Sequence, residues 1–232
     1  AKGGLFTVLH GGSYRVWGPP GSFIEDNNEF ALALVMTIPL LRFLQLQIVA
    51  RWLRYAMTGV ILLCAAAALG SHSRGGLLAI VAMSAVFWWR SQKKLQVGIL
   101  IILASLVLLP MMPDEWWSRM ESIGDYEQDE SAQGRLYAWR VAWEVAIHHV
   151  FGAGMSFQHP IIFSLYGSGG NIAAHSIYFQ VLGNHGFGGL VLFIGLWVST
   201  YRCAGWLRTK SHPHPEATWA GDLGAMVQVS LV

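Results

Sequence analysis

The chain has 232 residues, 54% of them hydrophobic and only 12% charged, with a formal net charge of +2. An ordinary soluble domain carries about 25% charged residues, so the composition is that of a membrane protein. The small net charge, gathered in short clusters and not along a stripe, excludes a nucleic-acid-binding protein.

Residues 1–28 are rich in Gly, contain Pro19-Pro20 and end in Glu25-Asp26-Asn27-Asn28. They read as a loop leading to a helix entrance, with Asn27 and Asn28 as caps and Glu25, Asp26 and Glu29 complementing the helix dipole. Apolar runs follow at about 29–49, 55–71, 75–89, 95–112 and 175–200, read as five membrane spans. Pro39 within the first is tolerated where neighbouring helices satisfy the freed carbonyl. The run from Asp222 to Val232 is too short to cross, and the chain opens on Ala1 with no leader pattern. Both ends are therefore expected to be cut, with 211–232 the start of a truncated sixth span. Cys64 falls in an apolar run and Cys203 near a basic helix end, so neither a disulfide between them nor a C-x-x-C metal motif is expected.

Basic residues in short connections fix orientation, because they are retained on the cytoplasmic side. Arg51 and Arg54 follow the first span, Arg90, Lys93 and Lys94 the third, and Arg202, Arg208 and Lys210 the fifth. Alternation then places 1–28, the Ser71–Gly75 turn and the long 113–174 segment outside. That segment is acidic, with Asp114, Glu115, Glu121, Asp125, Glu127, Asp129, Glu130 and Glu144 against Arg119, Arg135 and Arg140. The fold expected is an all-α, polytopic transmembrane helical bundle with 1–28 outside, four spans over 29–112, a large outer loop over 113–174, and a fifth span with its cytoplasmic end over 175–210.

Within the loop, Leu136, Trp139, Trp143, Ile147 and Val150 recur every three or four residues. This spacing predicts an amphipathic helix over 132–151, lying at the outer interface and ended by Gly152.

Three residues on the outer side carry chemical interest. Arg74 sits in the polar break Ser71-His72-Ser73-Arg74-Gly75-Gly76, where a guanidinium is suited to bidentate phosphate contact or to snorkelling toward lipid headgroups. Gly75 and Gly76 leave the backbone there open to a ligand or another helix. Arg135 opens the amphipathic helix, where a helix N-terminus favours anions; a salt bridge to Asp129 or Glu130 is the plainer alternative. His175, at the entrance of the fifth span, can act as a general base or simply bond to a carbonyl or water. Topology places all three at the same outer depth. His148-His149 with His159 matches no zinc-site spacing.

The motifs Ser73-Arg74-Gly75-Gly76, Gly134-Arg135 with Trp139, Gly152-Ala153-Gly154, Ala174-His175-Ser176-Ile177-Tyr178-Phe179-Gln180-Val181-Leu182-Gly183 and His185-Gly186-Phe187-Gly188-Gly189-Leu190 stand in the order and spacing of a known family. The chain resembles the O-antigen ligase superfamily over most of residues 15–205. Its likeness is greatest to the C-terminal portion of the O-glycosylation ligases associated with exosortase A systems, whose pattern Phe23–Ala31 also echoes. Asn184 stands where relatives are expected to carry Glu.

This resemblance implies an inner-membrane enzyme that transfers a glycan from an undecaprenyl-pyrophosphate carrier to a glycan, lipid or protein acceptor on the periplasmic face. It implies no nucleotide, no metal and no other cofactor, and membrane lipids as partners. It also implies the residue roles: Arg74 and Arg135 bind the pyrophosphate and stabilise its developing charge, and His175 deprotonates or positions the acceptor hydroxyl for an inverting displacement. Lipid-linked glycan polymerases and pilin-type oligosaccharyltransferases share the layout. A polysaccharide transporter or flippase, the alternative from another class, should show paired broken helices and mid-span ionisable residues. Neither is visible in the sequence.

Overall fold

The computed structural model describes residues 1–91, 93–121, 130–168, 170–211 and 214–231. Their regular structure is wholly helical: α1 Lys2–Leu9, α2 Asn27–Gln47, α3 Arg51–Gly70, α4 Arg74–Arg90, α5 Lys94–Leu108, α6 Asp114–Glu121, α7 Glu130–His148, α8 Pro160–Tyr166, α9 Ile177–Lys210 and α10 Thr218–Ser230. The acidic residues Asp125, Glu127 and Asp129, weighed above, lie outside the described residues. Among the described residues, four helices are long and apolar enough to cross a membrane: α2, α3, α5 with the 3-10 turn that extends it to Met111, and α9. The third expected span is α4, with 17 residues, shorter than these four.

The chain divides into two compact units, residues 1–121 with 201–232, and residues 122–200. In the first, α2 packs on α3, α4 and α10, and α1 packs on α3. Val35, Ile38, Cys64, Ala68, Met83 and Val229 form its core. The segment 1–28, expected as a loop, contains the helix α1. Gly3-Gly4 disfavours a helix locally, but Gly4 lets α1 lie against α3, where a Cβ would come within 1.8 Å of the Leu63 carbonyl oxygen. Thr7 is buried against Gly70 in the same contact. Tertiary packing overrides propensity here.

The two ends of this unit are wired differently. At one end Gln45, buried, donates to the Arg54 carbonyl at 2.8 Å and to the Thr58 hydroxyl at 2.6 Å, and accepts from Arg42. Arg90 donates to Gln228 at 3.0 Å and to the Tyr201 hydroxyl at 2.8 Å. At the other end Asn27 reaches the Ser71 carbonyl at 2.7 Å. Trp116, fully buried on α6, donates to the Leu69 carbonyl at 3.0 Å, satisfying one of the carbonyls left free at the end of α3.

The second unit is built on α7. Ala138, Val141, Ala142 and Val145 are buried against Phe157, Phe163 and Ala174. Of the expected amphipathic stripe, Leu136, Trp143, Ile147 and Val150 are exposed and Trp139 packs against this core, whose buried positions on α7 are small residues. The helix ends at His148, four residues before the glycine expected to stop it. Gly152 takes φ +70° and serves close approach instead: a Cβ there would lie 2.6 Å from the backbone of Asn184, His185 and Gly186. Gly186 has φ 66° and ψ −168°, a region essentially confined to glycine, and breaks α9. A Cβ on Gly186 would lie 2.1 Å from the Val150 carbonyl oxygen.

Candidate functional site

Arg74 belongs to the first unit and is the first residue of α4. The turn before it is held from several sides. Ser71 donates to the Ala68 carbonyl at 2.6 Å and accepts from the Ser73 amide at 3.2 Å. Ser73 caps α4 by accepting from the Gly76 amide at 3.0 Å, and donates to Asn28 at 2.8 Å. His72, buried with φ 56°, places its Nε2 2.8 Å from the Gly12 carbonyl oxygen. The Arg74 Nε is buried at the top of this construction. Gly75 and Gly76 have distinct roles: a Cβ on Gly76 would meet Ala31 at 2.7 Å, so it lets α2 approach, whereas Gly75 meets only Ser73 Oγ, at 3.8 Å.

The polar run 25–29 has a different division of labour from the expected one. Asp26 is the N-cap of α2, accepting from the Asn28 amide at 2.8 Å. Asn27 and Asn28 instead reach across to Ser71 and Ser73. A carboxylate accepts but cannot donate, so the cap falls to Asp26 and the bond to a carbonyl falls to an amide.

Arg135 and His175 belong to the second unit. Arg135 lies on α7 with its Nε buried and no hydrogen-bond partner for that atom among the described residues. One turn on, the Trp139 indole donates to the Ala174 carbonyl at 2.7 Å and stacks on Phe179, with centroids 4.8 Å apart and planes 4° from parallel. His175 follows Ala174 directly, exposed, with φ 44°. His72 and His175 are the two non-glycine residues with positive φ among the described residues. Histidine tolerates this conformation better than most residues, and such strain gathers at functional sites.

Past His175, Gln158 donates to Gln180 at 2.7 Å, and Gln180 lies 3.4 Å from the buried Asn184. An amide at 184 therefore sits in the break of α9, where an ionised carboxylate would be costly to bury. His149 bonds the Tyr166 hydroxyl at 2.6 Å, and His159 caps α8 by accepting from the Ile161 amide. These histidines have structural work. Sequence reasoning gave His72 no role, although its place two residues before Arg74 was the available signal.

No curated protein and no solved structure matches the chain. A family model described as O-antigen ligase matches residues 59–194, a stretch that holds Arg74, Arg135 and His175 and more than half the chain. With that match and four apolar helices of membrane length, the chain belongs to the O-antigen ligase family, multi-pass membrane proteins whose chemistry is glycosyl transfer.

Proposed function

We propose that the protein transfers a glycan from an undecaprenyl-pyrophosphate carrier to a periplasmic acceptor at the bacterial inner membrane, as an exosortase-associated O-glycosylation ligase. The reading rests on Arg135, whose Nε is buried with no hydrogen-bond partner among the described residues, and on the strained, exposed His175, which follows the Ala174 carbonyl bonded by Trp139 of the same helix.

His175 takes the proton of the acceptor hydroxyl, whose oxygen attacks the anomeric carbon from the face opposite the carrier. The bond from that carbon to the pyrophosphate oxygen breaks, and its electron pair stays on the lipid pyrophosphate. Arg74 and Arg135 are the cations that stabilise this charge, with inversion at the sugar and without metal or nucleotide. The basic clusters around Arg51, Arg90 and Arg208 face the cytoplasm, which orients the 71–76 turn and the 130–175 segment to the periplasm.

The test is transfer by the purified full-length protein in lipid nanodiscs, given a lipid-pyrophosphate-linked glycan, candidate acceptors and a chelator. Arg74→Ala, Arg135→Ala and His175→Ala should each slow transfer by about 100-fold or more. Parent-like rates in Arg74→Ala and His175→Ala would sink the mechanism.

A further inference from the structure

The second unit holds a groove that the proposed reaction leaves unused, with a volume of about 440 Å³, within the range of small-ligand pockets. One wall is a stripe of α7, Tyr137, Arg140, Glu144 and His148, spaced three or four residues apart and so on one helix face. The other is the end of α8, with Tyr166 and Gly167. The two walls are fastened together: Tyr137 packs on Phe163 with centroids 5.8 Å apart, and the Tyr166 hydroxyl is held by His149 at 2.6 Å. Gly167 lets the chain after α8 come close to Tyr137, since a Cβ there would lie 2.2 Å from the Tyr137 hydroxyl.

We infer that this groove is a second glycan-binding subsite, for neutral sugar units remote from the reacting carbon. Its chemistry is that of polyol recognition. Two tyrosine rings offer apolar faces to the C–H faces of pyranose rings. The Arg140 guanidinium and the Glu144 carboxylate bring planar donor and acceptor groups matched to vicinal hydroxyls, and His148, whose Nδ1 bonds the Glu144 carbonyl at 2.8 Å, adds its Nε2. Arg140 and Glu144 balance in charge, so the groove favours a neutral ligand over phosphate. Its position sets it apart from the transfer chemistry: Trp139, which reaches Ala174 beside His175, points about 200° around α7 from Tyr137, at about 100° per residue. Sugars held there anchor the glycan chain, and such remote binding energy serves the reacting end. This role rests on the proposed glycan transfer, and the donor and acceptor glycans share the chemistry that the groove recognises.

The experiment titrates the full-length protein in lipid nanodiscs with maltohexaose, chitohexaose and a rhamnose hexasaccharide, by calorimetry and saturation-transfer NMR. At least one should bind, with saturation passing from tyrosine ring protons. Tyr166→Ala and Glu144→Gln should each weaken binding at least tenfold. Leu165→Trp, which fills the groove from an exposed position on α8, should also abolish binding and guards against a folding defect in the other two. No binding by the panel, parent-like affinity in Leu165→Trp, or competition by inorganic phosphate would overturn the assignment. Displacement by lipid-linked donor or by acceptor glycan identifies the source, and displacement by neither also overturns it. Transfer measured on the same preparation separates the two ideas: sugar bound without transfer removes the ligase reading alone, and transfer without binding removes the subsite alone.

Discussion

The Trp139 indole and the Ala174 carbonyl, 2.7 Å apart, tie the helix that carries Arg135 to the residue before His175. The stack of Trp139 on Phe179 extends the tie into the first turn of α9. Trp139→Phe keeps a ring on Phe179 but leaves the Ala174 carbonyl, on a buried residue, without this donor. A loss of about 1–3 kcal/mol is expected. Thermal unfolding in detergent measures it, and glycan transfer should fall with it because His175 loses its support.

His175 holds a backbone conformation that costs most L residues about 1–2 kcal/mol. His175→Gly should therefore be more stable than His175→Ala by about 1 kcal/mol. Both should lose transfer to the same extent. Equal melting temperatures would mean that the left-handed turn relaxes at no cost, and recovery of transfer in the glycine variant would assign the residue a backbone role only.

Gly152 and Gly186 approach each other so closely that a methyl group on either meets backbone. Gly186→Ala is expected to cost about 3 kcal/mol or more, from overpacking and strain together. Gly154→Ala has the same sign of φ but nothing within 4 Å of the added carbon, so it should cost about 1–2 kcal/mol. The difference between the two melting temperatures reads out the packing of the 150–154 loop against the break in α9.

Replacing Arg135 by Lys keeps the charge and discards the planar fork. Arg135→Lys should recover less than a tenth of parental transfer while folding normally, and Arg74→Lys should behave likewise. Full activity in either lysine variant would show that charge alone suffices at that position.

The long apolar runs were legible because hydrophobic length is a local property of the chain. The runs read at 29–49 and 55–71 correspond to α2 and α3, offset by a few residues at their ends. Three features were hidden because their cause lies elsewhere in the molecule. The helix α1 exists because Gly4 fits against Leu63. The break in α9 exists because Gly186 must pass Val150. The packed face of α7 runs through Ala138, Val141, Ala142 and Val145, small residues whose weak hydrophobic signal was masked by the larger stripe of Leu136, Trp143 and Ile147. The candidate site could be named from the sequence only one residue at a time. Arg74, Arg135 and His175 stand out by chemistry, whereas the supports of Arg74, namely Asn27, Asn28 and His72, emerge only through bonds spanning 44 to 60 positions in sequence.

No residue of α5 is buried, although it is the most apolar of the membrane-length helices, and Gly98 resting near Trp88 of α4 is among its few ties. Its inclination is thus governed by the thickness of the surrounding hydrocarbon more than by neighbouring side chains. In a thinner bilayer α5 leans first, and the strain of the mismatch is absorbed there, away from the tightly packed end of α3 that presents Arg74.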